Sequence, residues 1–472
     1  MRSLVWLRRD LRILDNPALC EASKQATGGT IALFVVTPEQ WLEHDDAPCK
    51  VKFWLDNLRL LSADLAKQNI PLRLETCETY GEVPELISKF VKKNKCDKLF
   101  FNHEYEVNER RRDREVKLAC EQAGIVVETF DDRLVVPPNT IKTKEGKFYS
   151  VFTPFRRVWE RTVTEYLECR PKPKKQPELS VKPSKVPTKV EGFDFAACRD
   201  DLWSAGEKEA AKRLKSFASR IANYNQHRDL AAVNGTSLIS AYLAAGVISP
   251  RQCLVAGIAA NNGKVVGHEG PTTWISELAW RDFYSHIMVA CPRVSMHKPF
   301  KLRTENVGWR DDSAEFEAWC EGQTGFPIVD AGMRQLKRTG WMHNRLRMVT
   351  AMFLTKNLLI DWRMGERHFM RHLIDGDLAA NNGGWQWSAS TGTDAVPYFR
   401  IFNPFSQSKR FDVDGKFIKM MCPELEPVPA KSLHDPKKLE AAIQEHAIDY
   451  PSFVVDYPAS RVRALAAFKA LK

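Results

Sequence analysis

The segment Trp274-Ile-Ser-Glu277-Leu-Ala-Trp280-Arg281-Asp-Phe-Tyr284 places a carboxylate, an indole, a guanidinium and a phenol at i, i+3, i+4 and i+7. At about 100° per residue, Glu277, Trp280, Arg281 and Tyr284 share one helix face. That face offers an acceptor for ring N–H groups, a plane for stacking and an anchor for a phosphate, which together read a nucleobase. A surface ion pair between Glu277 and Arg281, covering a half-buried indole, fits the same spacing equally well.

A second helical segment, His343-Asn344-Arg345-Leu346-Arg347-Met348, holds Asn344, Arg345 and Met348 within about a 100° arc, where amide, guanidinium and thioether could line a groove. Further on, Asp375-Gly376-Asp377 sets two carboxylates one residue apart. They suit a ribose or ring N–H as well as a metal. No third and fourth hard ligand follows at matching spacing, so no metal is expected. Eight of the thirteen tryptophans lie between Trp274 and Trp387. Helical cores use indoles sparingly because a buried N–H needs a partner. Indoles also stack on bases and lose one electron readily, so stacking and electron transfer both become candidate roles.

These segments need elements to hold them. Up to Phe130, short apolar runs (Leu4 to Leu7, Ile31 to Val36, Leu72 to Leu74, Leu99 to Phe101, Ile125 to Val127) alternate with amphipathic stretches such as Lys50 to Lys67. This rhythm predicts a Rossmann-like α/β domain with a parallel sheet, and a ligand near the carboxyl ends of its strands. No G-x-G-x-x-G follows the first strand and no Walker A motif occurs, which removes nicotinamide and nucleoside-triphosphate readings. Arg170 to Val190, rich in Pro and Lys, reads as an extended, solvated connector. Beyond Gly206 the period is helical and predicts an all-α domain. The expected boundaries are 1–131 for the α/β domain, 132–205 for the linker and 206–472 for the helical domain.

The composition, 44% hydrophobic and 27% charged, is globular, and no apolar run is long enough for a membrane span. The early Arg8, Arg9, Asp10 and Arg12 interrupt a secretory signal, so a cytoplasmic location is expected. Eleven cysteines without a C-x-x-C pair support neither a zinc framework nor a redox motif. A net charge of +11 favours a polyanionic partner.

Taken with LVWLRRDLRILDNPAL, EYEVNERRRD, FTPF, TGWMHNRLRM and DGDLAANNGGWQWSASTGTDAVPYFRIFNP, the chain resembles the photolyase/cryptochrome family over its whole length, nearest to class I, folate-antenna photolyases that act on cyclobutane pyrimidine dimers. The resemblance implies light-driven repair of such dimers in DNA, with a blue-light receptor or a (6-4) photoproduct photolyase as alternatives. It implies an FAD, active when reduced, in the helical domain. Tyr224, the run Thr236, Ser237, Leu238, Ile239 and Ser240, Trp274, and Asp375, Gly376 and Asp377 match its contacts, with Asn381 facing the flavin N5. Some relatives carry Arg where Leu238 stands. Arg228, Glu277, Trp280, Asn344, Arg345, Arg347, Met348 and Trp387 match contacts to DNA or the flipped-out dimer, and Arg281 and Tyr284 join them through the shared helix face. Trp385, Trp362 and Trp309 match an electron-transfer chain running outward from the flavin. Asn108 and Glu109 match pterin contacts of a 5,10-methenyltetrahydrofolate antenna, whereas Ser295 and Met296 replace a Cys-Lys pair of close relatives at that pocket. The chain is expected to act as a monomer on dimer-containing DNA, away from membranes.

Overall fold

Strands β1 (Ser3–Leu7), β2 (Thr30–Val36), β3 (Leu72–Thr76), β4 (Lys98–Asn102) and β5 (Val126–Phe130) form one parallel sheet in the order β3-β2-β1-β4-β5. In this computed structural model, which describes residues 1–471, Val5 pairs with Ala32 on one side and Phe100 on the other. Every residue of β1 and β2 is buried, as continuous apolar runs beneath helices on both faces must be. The intervening helices begin on local signals. The helix Pro17–Gln25, for example, has Pro at its first position and Asn16 as a cap accepting from the Leu19 N–H. Strand order reverses between β1 and β4, so the loops leaving their carboxyl ends open onto the place where such folds hold ligands.

The stretch 170–190 is irregular, as its composition predicts, but it is not simply solvated. Ser184 donates its N–H to the Leu72 carbonyl at 2.8 Å, and its hydroxyl accepts from Leu74 N at 3.1 Å, satisfying polar groups of the edge strand β3. Gln176 is buried, bonded to Thr30 and Ser23 at 3.0 Å each, and Leu179 and Val181 pack on apolar side chains of the sheet. Covering an open sheet edge gives this polar segment a structural role that composition alone hides.

From Glu207 onward every named element is helical. The chain forms two compact units, the first comprising Met1–Ala222, Ser237–Pro292 and Ile374–Asp377, the second Asn223–Thr236, Arg293–Leu373 and Leu378–Lys472. In the second unit the core gathers around Trp319, Trp362 and Trp385 with Phe326, Phe353 and Phe369. Among the described residues no helix is long and apolar enough to cross a membrane.

Candidate functional site

In the first unit, the helix Glu269–Ala290 buries Trp274, Ile275, Leu278, Ala279, Asp282 and Phe283, and leaves Glu277, Trp280, Arg281 and Tyr284 half-exposed along one stripe. The Trp280 ring stacks on Phe152 at 3.6 Å with an interplanar angle of 10°, and lies 5.5 Å from Tyr284. Phe152 opens the helix Phe152–Thr162; sequence reasoning met it only inside the FTPF motif and gave it no role. Behind the stripe, Asp282 accepts from Trp159 Nε1 at 2.8 Å and from the backbone of Val135 and Val136, with burial raising its pKa. Arg281 turns inward and donates to the Arg133 carbonyl, which takes its guanidinium away from the phosphate role the helix face suggested.

Of the residues matched to flavin contacts in this unit, Trp274 is buried against Phe217, 5.2 Å between ring centres. Leu238 takes φ 51°, a left-handed conformation costly for a leucine, directly before the buried Ile239 and the short helix starting at Ser240. Asp375 is buried, and beyond Gly376 the Asp377 Oδ2 accepts from Arg133 Nη2 at 2.7 Å. Arg133 escaped the sequence analysis.

Asn108 and Glu109 open the helix Val107–Gln122 after β4. Asn108 Nδ2 is 3.0 Å from His44 Nε2, whose other ring nitrogen lies 3.6 Å from Glu109 Oε1. His44 meets Tyr80 edge-on at 5.4 Å, and Arg112 lies 4.3 Å over the Tyr80 ring. His44, Tyr80 and Asn108 thus follow β2, β3 and β4 at the ligand end of the sheet, and the first two had no motif to mark them.

The later turns of the 152–162 helix bear Arg157, Glu160 and Arg161, which with Thr164, Lys264, Val265 and Val266 line a groove of about 460 Å³. Glu160 is held by Arg156 at 2.6 Å, so the groove keeps a cationic excess.

In the second unit, the helix Asn344–Met352 is capped by His343, whose Nδ1 accepts from Arg345 N at 3.2 Å. Arg345 is tied to Asp229 through Nη2 at 2.9 Å and Nε at 3.3 Å and lies 4.3 Å over Phe411. Arg228, beside the same carboxylate at 3.9 Å, sits over the Tyr224 ring at 5.6 Å. Arg347 donates Nε to the Met342 carbonyl at 2.8 Å, and Asn344 Nδ2 reaches Met348 Sδ at 3.9 Å. Thr236 ends the 223–236 stretch of this unit. Ser295 lies in a 3₁₀ turn before the exposed Met296.

The helix Leu378–Ala389 carries Asn381, Trp385 and the half-buried Trp387. Asn381 donates Nδ2 to the Glu366 carbonyl at 3.0 Å, which commits its donor end and leaves its carbonyl oxygen to accept from a ligand N–H. Glu366, fully buried, also accepts from Asn382 at 2.8 Å and organises this corner without any sequence signal. The residues therefore fit a flavin edge. Trp362 and Trp385 are 1% and 2% exposed whereas Trp309 is half-buried, so the three run from core toward surface within this unit. Gly365, one turn after Trp362, admits the Trp385 ring, with which a Cβ there would collide. Among the described residues no group of three His, Cys, Asp or Glu side chains is placed to hold a metal ion.

Residues 3–178 match the family model described as DNA photolyase, and residues 274–470 match that of the FAD binding domain of DNA photolyase. The deoxyribodipyrimidine photo-lyase of Escherichia coli is 45% identical over 474 residues, covering 99% of this chain and 98% of that protein. Among solved structures, a bacterial class III photolyase from Agrobacterium tumefaciens agrees with a TM-score of 0.90 at 33% identity, covering 100% of this chain and 97% of that one. A cryptochrome from Synechocystis agrees with a TM-score of 0.89 at 27% identity over 99% of each chain. Family models at both ends of the chain and full-length identity of this order establish that the chain belongs to the DNA photolyase family.

Proposed function

We propose that this chain splits cyclobutane pyrimidine dimers in DNA under near-UV or blue light, with FAD as its cofactor. The observation that carries the reading is the half-exposed stripe of Glu277, Trp280 and Tyr284, with Trp280 already fixed by its stack on Phe152. A dimer inside a duplex must be extruded to be reached, at a cost of a few kcal/mol that damaged pairing lowers. An indole plane held in advance receives it with little reorganisation, and Glu277 on the same stripe supplies an acceptor for a pyrimidine N–H. Reduced FAD supplies, on excitation, one electron that returns once the cyclobutane bonds have opened.

Asn381, its donor end taken by the Glu366 carbonyl, would offer its carbonyl oxygen to the flavin, and Asp377 would offer a carboxylate acceptor for a flavin N–H. Trp385, Trp362 and Trp309 pass an electron hole outward. Asn108 and Glu109, with His44 and Tyr80, hold a 5,10-methenyltetrahydrofolate antenna, and the basic groove at Arg157 and Arg161 follows the DNA backbone. The chain works as a monomer in the cytoplasm without a metal ion.

An oligonucleotide with one thymine dimer tests the reading. Repair is expected under light and none in darkness, and Glu277→Ala should keep its flavin while repairing several-fold less per photon. Equal repair in the dark excludes the photochemical mechanism, and full repair by the variant returns Glu277 to a surface pair.

A further inference from the structure

Five residues of the first unit are strung on one line of ion pairs. Asp377 Oδ2 lies 2.7 Å from Arg133 Nη2. The other arm of Arg133, Nη1, reaches both oxygens of Glu106 at 3.0 and 2.9 Å. Glu106 Oε2 then meets Arg9 Nη2 at 2.9 Å, and the same nitrogen stands 3.7 Å from Glu109 Oε1. Glu106, Glu109 and Arg133 are each less than a tenth exposed, so solvent does little to screen the line.

The backbone fixes the middle of it. The Arg133 carbonyl accepts from Arg281, and the next residues, Val135 and Val136, donate to the buried Asp282. Arg133 therefore cannot follow a displaced carboxylate without disturbing the helix that bears Glu277 and Trp280. Its two arms hold Glu106 and Asp377 in fixed relation.

The charges are interleaved. Arg8, Arg9, Arg112, Arg133 and Arg281 face Glu104, Glu106, Glu109, Asp113 and Asp377, with His44 and Tyr80 beside Glu109 as neighbours able to exchange a proton. Burial opposes ionisation of Glu104 and Glu106, yet the guanidinium groups outweigh it and hold both below the usual carboxylate range. Burial and the charge of Glu106 push Glu109 the other way. The adjustable member is at the antenna end.

We propose that Arg133 is the positioning residue for Asp377, and that the line Glu109, Arg9, Glu106, Arg133, Asp377 transmits the state of the antenna pocket to the flavin. This rests on the reading in which Asp377 contacts the flavin and Glu109 the antenna. A ligand that binds Glu109 changes its hold on Arg9; Arg9 and Glu106 readjust, and Arg133 alters the charge density and orientation of the Asp377 carboxylate. By linkage, flavin occupancy changes antenna affinity by the same factor.

A double-mutant cycle tests it on the full chain, with the FAD dissociation constant and the visible circular dichroism of bound FAD as readouts. Arg133→Gln should weaken FAD about tenfold and Arg133→Lys about threefold, since the ammonium keeps the charge but not both arms. Glu109→Gln should shift FAD affinity and the dichroism several-fold while Arg133 is intact, and not at all in the Arg133→Gln background. Additive effects of the two substitutions overturn the transmission, as does a Glu109→Gln protein with unchanged flavin. Asp377→Asn separates the premises: flavin binding weakened by Asp377→Asn but not by Arg133→Gln sinks the positioning role, whereas no effect of Asp377→Asn sinks the contact reading beneath it. Far-UV circular dichroism of Arg133→Lys, where no charge is lost, guards against a folding artefact.

Discussion

Arg345 is a cation only in part available, because Asp229 grips it with two hydrogen bonds. Removing that carboxylate frees Arg345 and relieves Arg228, so Asp229→Asn should tighten binding to damaged and undamaged DNA alike and steepen the salt dependence by about one unit of slope. Filter binding at several salt concentrations checks this, and an unchanged slope would show that neither guanidinium reaches a phosphate. His343 is the other residue whose chemistry its environment decides. Burial lowers its pKa to about 4, with Asp229 opposing and Arg347, Arg345 and Arg228 reinforcing the shift, and its unprotonated Nδ1 caps the helix that carries Asn344 and Met348. A histidine whose folded pKa lies below its unfolded value of about 6.5 gives stability that is complete above pH 6.5 and is lost as pH falls toward 4. The difference in unfolding free energy between wild type and His343→Asn, which keeps a capping acceptor, should therefore change by up to about 3 kcal/mol over that window, measured by urea titration. A pH-independent difference would mean that the cap survives protonation.

Two helices of the second unit meet where a side chain would block them. Gly365 on the helix Trp362–Met370 leaves room for the Trp385 ring and for Leu354, so Gly365→Ala should cost about 1–3 kcal/mol and shift the indole. Flavin photoreduction with an external thiol should slow in this variant and in Trp309→Phe, while chemically reduced protein of either kind still repairs dimers; normal photoreduction in both would place the electron path elsewhere. The π-helical segment Phe353–Leu358 hides a different burden. Lys356 is fully buried, bonded to Ala389 O at 3.1 Å and Ser390 Oγ at 2.9 Å, 3.6 Å over the Phe468 ring, and burial together with Lys301 drives its pKa well below the usual lysine value. For a lysine with a lowered folded pKa the penalty is full below that pKa and fades as pH rises toward about 10.4. Lys356→Met should thus be more stable than wild type near neutrality, by about 1–2 kcal/mol, with the gain shrinking on the alkaline side. Thermal unfolding across pH 7 to 10 reads it out, and a constant gain would show that packing, not charge, is what changed.

At the scale of the molecule the excess of eleven positive charges matters only where it is left unpaired. Most arginines of the first unit's loops are consumed by Glu104, Glu106, Asp113 and Asp377, whereas Arg157, Arg161 and Lys264 share a groove whose one carboxylate is already held. Replacing Arg157 and Arg161 by Ala should reduce the salt slope of DNA binding by about one to two units for dimer and non-dimer DNA alike; a loss confined to dimer DNA would contradict a backbone role. The sequence by itself determined the alternation of strand and helix, the parallel sheet, the helical remainder and the stripe of Glu277, Trp280, Arg281 and Tyr284, because short continuous apolar runs and a period of 3.6 are written in neighbouring residues. The Trp, Asn381 and Asp377 assignments came from family motifs and not from periodicity. Tertiary structure alone decided what each charge does. Arg345 finds Asp229 across 116 positions and Arg133 finds Asp377 across 244, the Phe152 ring arrives under Trp280 from another helix, and Arg281 leaves the exposed stripe for a carbonyl. A side chain's partner depends on which distant segments the folded chain brings within about 3 Å, and no local pattern encodes that separation.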